Sequence, residues 1–191
     1  PGIGSTHAIH LSGDLSDKDN VLLNCRITDN VCDSGVSAIF AIGGQPTIAN
    51  CLIARNIGNL ELGSSTLRVQ LADGTRIINC TIVDNHAPNS TYPRGVGVEL
   101  FRTTAEISNS IIWGNADANG PDEQAQLNYN TGNSALSINH STVLGWSGSM
   151  GGVGNDAGDP LFMDYQAGDY RRGGASPALD AGYHAALPPA S

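Results

Sequence analysis

Aliphatic residues occupy two fixed places around a small anchor residue that returns every 26 to 31 positions. With anchors at Cys25, Cys51, Cys80, Ser110 and Ser141, the position two later is Ile27, Ile53, Ile82, Ile112 or Val143. The position three earlier is Leu22, Ile48, Ile77, Ile107 or Ile138. The shared unit reads NCRITDN at 24–30, NCLIARN at 50–56, NCTIVDN at 79–85 and NSIIWGN at 109–115, with a degenerate fifth copy, NHSTVLGW, around Ser141. A period near thirty is the mark of a repeat architecture in which each unit buries its apolar face against the next.

Upstream of each unit lies a stretch that reads apolar, variable, apolar: AIHLS, IFAIG, RVQLA, GVELF and QLNYN. Alternation with period two predicts a strand with one buried face. Aligned at spacings of 29 to 31, the stretches place Ile9, Phe40, Val69, Val98 and Leu127 in one inward column. A second inward column is Leu11, Ile42, Leu71, Leu100 and Tyr129. His10, Ala41, Gln70, Glu99 and Asn128 then point outward, preceded by outward Ala8, Ile39, Arg68, Gly97 and Gln126. Each period therefore holds at least two short strands, and stacking of like on like predicts a parallel solenoid with coils about 4.8 Å apart.

Asn24, Asn50, Asn79 and Asn109, with His140 in the fifth copy, stand just before the anchors. The apolar residue two places earlier and the anchor itself both face inward, so the alternation breaks and the chain turns a corner. Asn tolerates the left-handed conformation such a corner needs, and its amide can pair with the Asn of the next coil. A second column, Asn30, Asn56, Asn85 and Asn115, is expected to end a strand and open a loop of variable length. These loops carry most of the Pro, Gly and charge and project from one side, where solenoids place binding chemistry.

Composition agrees with this picture and narrows the partners. Among 191 residues there are 24 glycines, 14% charged residues and a net charge of −9, with Lys18 the sole lysine, which suits many short strands and polar turns. An acidic chain without clustered Lys and Arg argues against nucleic acid as a partner. No apolar run is long enough for a membrane span, and the first residues, PGIGSTHAIH, lack the pattern of a signal peptide, so the chain is expected to open in mid-protein.

The repeated N-[CS]-x-I-x-x-N units resemble those of the right-handed parallel β-helix family, the architecture of pectate lyases and many bacterial surface proteins. The segment GDPLFMDYQAGDYRRGGASPALDAG at 158–182 resembles the closing module of secreted β-helix proteins known as a choice-of-anchor domain. The resemblance implies an all-β, right-handed parallel β-helix of about five coils over 1–146, closed by a C-terminal cap module over 147–191. It further implies an extracellular or cell-surface location. Because an open solenoid end exposes unpaired backbone donors and acceptors, further coils or another chain are expected to cover the end near residues 1–20.

The functional expectation leans towards a structural or binding module over an enzyme, one that contacts carbohydrate or another surface component. His10, Arg68, Gln70, Glu99 and Asn128 are its binding candidates. The alternatives are a polysaccharide lyase or hydrolase using Arg68 and Glu99, and a self-assembling scaffold. A lyase removes an α-proton beside a Ca²⁺-bound uronate, and this face supplies one carboxylate where a calcium site wants two or three.

No cofactor is called for, although a structural Ca²⁺ could be held by tail acids such as Asp159, Asp164 and Asp169. Their spacing lacks the order of a calcium loop, and turn-forming roles are expected for them and for Asp156 and Asp180. Asp29 and Asp84, with Arg55 between them, read as an exposed ladder of alternating charge. The column Cys25, Cys51, Cys80, Ser110 and Ser141 reads as a stack of small buried residues, which leaves Cys32 in its loop as the thiol to test for reactivity. Tyr92, Trp113, Trp146 and Tyr165 are the aromatics able to stack on a sugar ring, with packing the expected role of Trp113.

Overall fold

The computed structural model describes residues 7–14, 20–33, 36–59, 64–91 and 95–183. The chain winds as a parallel β-solenoid with four short strands per coil where two or more were expected. The first coil contains β1 (Ile9–Ser12), β2 (Val21–Leu23), β3 (Arg26–Thr28) and β4 (Val31–Cys32). The second contains β5 (Val36–Ile42), β6 (Thr47–Ala49), β7 (Leu52–Ala54) and β8 (Ile57–Gly58). The third contains β9 (Ser65–Gln70), β10 (Thr75–Ile78), β11 (Thr81–Val83) and β12 (His86–Ala87). The fourth contains β13 (Val98–Phe101), β14 (Thr104–Ser108), β15 (Ile111–Trp113) and β16 (Ala116–Asp117). After the single helical turn α1 (Glu123–Gln126), β17 (Leu127–Tyr129), β18 (Ala135–Asn139) and β19 (Thr142–Val143) make the last winding. Equivalent strands pair in parallel into three sheets of five strands and one of four.

The corners follow from backbone conformation. Asn24, Asn50, Asn79, Asn109 and His140 all have φ between 50° and 55°, so the chain turns at each into the left-handed region between the second and third strands of its coil. Asp29, Arg55, Asp84 and Gly114 (φ 55–66°) turn the next corner, and Gly43, Leu71 and Arg102 (φ 51–67°) turn the one after the first sheet. At Gly43 only glycine fits, because a Cβ there would run into the carbonyl oxygen of Gly13 on the coil below.

The core is a set of stacked aliphatic columns. Ile27, Ile53, Ile82, Ile112 and Val143 form one, and Ile48, Ile77, Ile107 and Ile138 another; all are buried. Each such side chain contributes on the order of 1.5–3 kcal/mol through burial. Trp146 and Met150 pack against the last winding, and the stretch around Asn155 and Asp156 pairs with it, Val143 N–H donating to Asp156 O at 2.9 Å. In the first coil Ile9, Leu11, Leu22 and Cys25 are only partly buried. The residues flanking this coil at 1–6 and 15–19, where a covering partner was expected, lie outside the described set.

The register of the first sheet corrects the alignment read from the sequence. Ile39, not Phe40, pairs with Ile9, and Leu67, not Val69, pairs with Val98. The inward columns are therefore Ile9, Ile39, Leu67, Val98, Leu127 and Leu11, Ala41, Val69, Leu100, Tyr129. Ala41 and Ile39, expected outward, are fully buried. The error has a physical source: β5 (VSAIFAI) is apolar on both faces, so alternation cannot phase it. In contrast, β9 keeps Arg68 and Gln70 outward as expected and slips only in register, by two residues, because Leu67, Val69 and Leu71 alternate alike and the bounding loops differ in length.

The second asparagine column also departs from expectation. Asn56, Asn85 and Asn115 are fully buried and run a continuous ladder. Asn56 Nδ2 donates to Asn85 Oδ1 at 2.9 Å, and Asn85 Nδ2 to Asn115 Oδ1 at 2.8 Å. Each Oδ1 also takes the backbone N–H of the preceding Asn, and each Nδ2 reaches a strand carbonyl such as Ile53 O (3.0 Å). The side chains thereby satisfy backbone groups that a buried corner would otherwise orphan.

Candidate functional site

Two surfaces carry chemistry. The first is the outer face of the first sheet, beside the loop-bearing edge. Its corrected outward column reads His10, Phe40, Arg68, Glu99, Asn128 along five coils, with Ile42, Gln70 and Phe101 in the adjoining column. Arg68 and Glu99, brought together only as neighbours in the sequence reading, stand directly opposite each other. Arg68 Nη1 lies 3.6 Å from Glu99 Oε2, which also accepts the Ser65 hydroxyl at 3.0 Å. Glu99 is 8% exposed, so this carboxylate is a paired group set into the wall.

Aromatic rings flank the ion pair. His10 stacks obliquely on Phe40, centroids 5.4 Å apart, and His7 meets both rings edge-on. Burial, with His10 beside it, lowers the pKa of His7 and so favours the neutral ring. Across the pair, the guanidinium carbons of Arg68 and Arg102 lie 5.6 and 5.4 Å from the Phe101 centroid. The face therefore offers ring planes, a guanidinium and the amides of Gln70 and Asn128 at coil spacing. Ring planes bind apolar faces, and the polar groups donate to or accept from hydroxyls.

The second surface is made by the C-terminal segment. An antiparallel hairpin of β20 (Phe162–Asp164) and β21 (Asp169–Arg172) lies along the outer face of the third sheet. Phe162, Tyr165 and Tyr170 pack there on Leu52, Ala54, Val83 and Trp113. The third sheet's outer face is small and apolar at Ala54 and Val83, which leaves room for these rings. At the hairpin's centre the Asp84 carboxylate accepts the hydroxyls of Tyr165 and Tyr170 and meets His86 Nε2, each at 3.0 Å. Burial alone would raise the Asp84 pKa, but hydrogen bonds from His86 and the two tyrosines hold it below the usual carboxylate range. Burial pushes Tyr170 up to about 12, with Asp84 adding to the shift against Arg55.

Asp84 is thus a half-buried anchor, in contrast to the exposed charge expected for it. Arg55 and Asp29 do form an exposed pair, with Nε–Oδ1 and Nη2–Oδ2 contacts of 2.7 and 2.8 Å. A cleft of about 810 Å³ opens between the corner column and residues 170–183. At its rim Asn109 captures the main chain of Tyr183, donating Nδ2–H to its carbonyl (3.0 Å) and accepting its N–H (2.7 Å). The outer asparagine ladder Asn24–Asn50–Asn79 stops one coil short of this point, because Asn109 spends its amide on the tail.

The remaining candidates have specific placements. Asp159 and Asp164 accept backbone N–H groups of Leu161 and Ala167 in turns. Asp169 pairs with Arg171, whose hydrogen bonds lower its pKa to about 2. Among the described residues no group of three or more His, Cys, Asp or Glu converges as a metal cluster. Ser110 and Ser141 are buried, and each hydroxyl accepts the N–H of the preceding anchor. Cys32, expected in an accessible loop, is buried at the end of β4, so its thiol is shielded. Trp146 closes the core, and Tyr92 lies outside the described residues.

Gln126 is the residue that sequence reading missed. Placed outward by alternation, it is fully buried; α1, capped by Asp122, turns it inward. Its Oε1 accepts both the N–H and the Nδ2–H of Asn115 at 2.9 Å and so ends the inner ladder. The signal available was the loss of Asn from its column after Asn115. No helix among the described residues is long and apolar enough to cross a membrane. Comparison with known proteins finds no matching family model, no matching curated protein and no matching solved structure.

Proposed function

We propose that this chain is a structural and binding module of an extracellular or cell-surface protein, of bacterial β-helix type, that engages carbohydrate along the outer face of its first sheet. The observation that carries this reading is the column His10, Phe40, Arg68, Glu99, Asn128. It sets an aromatic plane, a paired guanidinium and an amide at the coil repeat, a linear array suited to a linear polymer of hydroxylated rings. The resemblance of the C-terminal segment to a choice-of-anchor module supports a surface location. The buried, paired state of Glu99 disfavours its use as a catalytic base and favours binding over elimination.

The test is calorimetric titration of the chain with a panel of neutral and acidic polysaccharides, each also assayed for unsaturated product. Phe40→Ala and Arg68→Gln are expected to weaken the selected ligand about tenfold each, the loss of roughly 1.4 kcal/mol of contact. Equal affinity in both variants would remove the reading, and appearance of unsaturated product would replace it with a lyase. A second reading, end-to-end association, is favoured by the partly buried Ile9, Leu11 and Leu22 of the first coil. Concentration-dependent sedimentation tests it.

A further inference from the structure

Three thiols stand in register on consecutive coils. Leu23 opposite Ala49 and Arg26 opposite Leu52 bracket Cys25 against Cys51. Ala49 opposite Ile78 and Leu52 opposite Thr81 bracket Cys51 against Cys80 in the same way. In-register neighbours lie about 4.8 Å apart. That is inside the roughly 4.4–6.8 Å between Cα atoms that a disulfide spans. The thiols point into the same column: Cys51 Sγ reaches Leu22 O on the first coil at 3.6 Å, and Cys80 Sγ reaches Ile48 O on the second at 3.5 Å.

The three differ in access and in chemistry. Cys25 is partly exposed, whereas Cys51 and Cys80 are 2% and 1% exposed. The hydrogen bond from Cys80 lowers the Cys51 pKa in spite of burial, with further bonds from Cys25 acting the same way. The same contact, together with burial, pushes Cys80 well up. Of the two buried thiols Cys51 is therefore the more readily ionised, and Cys25 is the sulfur that solvent reaches.

We propose that Cys25 and Cys51 are a redox-responsive pair that closes to a disulfide and staples the first coil to the second, Cys25 being the entry thiol and Cys51 the resolving thiol. The oxidant is a low-molecular-weight disulfide, RSSR. The Cys25 thiolate attacks one sulfur of RSSR, and a mixed disulfide forms as RS⁻ leaves and is protonated. The Cys51 thiolate then attacks the Cys25 sulfur, the Cys25–Cys51 bond forms, and the second RS⁻ leaves. The pair loses two electrons and two protons, and RSSR becomes two RSH.

Geometry favours this pair over Cys51–Cys80. A disulfide draws its Cβ atoms to about 3.5–4.5 Å, closer than the coil spacing, so one backbone must move by about half an ångström. Cys80 lies on a coil held by paired strands on both sides, β6 and β7 below and β14 and β15 above. Among the described residues β2 and β3 pair on one side only, and Leu22 beside them is partly buried. The first coil can give. Closing the bond there ties down the end of the solenoid where its core is least covered.

The experiment is incubation of the native chain with glutathione disulfide, alkylation, and non-reducing peptide mapping by mass spectrometry, with hydrogen exchange followed over residues 20–33. A Cys25–Cys51 linked peptide lighter by two hydrogens is expected, with slower exchange in the first coil and Cys80 alkylated only after unfolding. Cys51→Ser, which places in the column the residue already present at 110 and 141, is expected to stop at the mixed disulfide on Cys25 and to leave exchange unchanged. Cys80→Ser is expected to retain the link, since that thiol takes no part in it. Arrest of the wild-type chain at the mixed disulfide, a Cys51–Cys80 or Cys32 link, or four thiols that stay reduced would each overturn the proposal.

Discussion

The Tyr170 hydroxyl donates to the Asp84 carboxylate at 3.0 Å across 86 residues of sequence. With Tyr165 on the other oxygen, Asp84 ties the C-terminal hairpin to a corner of the third coil. Asp84→Asn keeps the size but replaces an ionised acceptor, so the hairpin is expected to loosen by about 1–3 kcal/mol. Hydrogen exchange over 162–172 should rise, while exchange in β9 to β15 stays protected. Uniform destabilisation of the coils would show that Asp84 serves the solenoid and not the hairpin.

The same contact fixes a pH dependence. The folded pKa of Asp84 lies below its ordinary value, so the folded state binds fewer protons than the unfolded state in that window. Its contribution is present above about pH 3.9 and is lost as pH falls through the folded value. Hairpin protection factors, exchange taken relative to the intrinsic rate at each pH, should fall on acidification below about pH 4 in the native chain, and Asp84→Asn should flatten that response. Asp29, lowered by Arg55 and Thr28, titrates in the same direction, so Asp29→Asn is the control that leaves the hairpin response intact.

The two asparagine ladders are expected to differ sharply in energy. Asn85→Ala removes a fully buried amide: the Asn56 backbone N–H loses its Oδ1 acceptor, and Asn56 Nδ2, Asn115 Oδ1 and Ile53 O each lose one hydrogen bond. A cost of about 3 kcal/mol or more is expected from stranding these groups. Asn50→Gly keeps the left-handed corner on an exposed ladder and should cost about 1 kcal/mol or less. Denaturant midpoints measure both, and equal costs would contradict the burial argument.

Gly114 sits at φ 66°, and a Cβ there would run into the Tyr165 hydroxyl. Gly114→Ala therefore combines backbone strain of about 1 kcal/mol with displacement of the tyrosine. The expected result is hairpin loosening comparable to that of Asp84→Asn. In the double variant the two effects should be less than additive, because both break one docking contact.

The sequence by itself determined the solenoid. Columns such as Ile27, Ile53, Ile82 and Ile112 recur with one spacing from the Cys or Ser anchor, and a residue that must stack on its own equivalent leaves that repetition in the chain. The corner at Asn24, Asn50, Asn79 and Asn109 was legible for the same reason, since each coil needs the same left-handed residue there. Tertiary structure alone decided the phase of β5, where both faces are apolar and one residue of loop length moves Phe40 from core to surface, and the register of β9 against its neighbours, which differs by two residues from the spacing read in the sequence. It also decided that Asn85 is buried, that Gln126 turns inward to end its ladder, and that Asp84 meets Tyr165 and Tyr170. Those contacts join residues with no common period, and periodicity speaks only for what repeats.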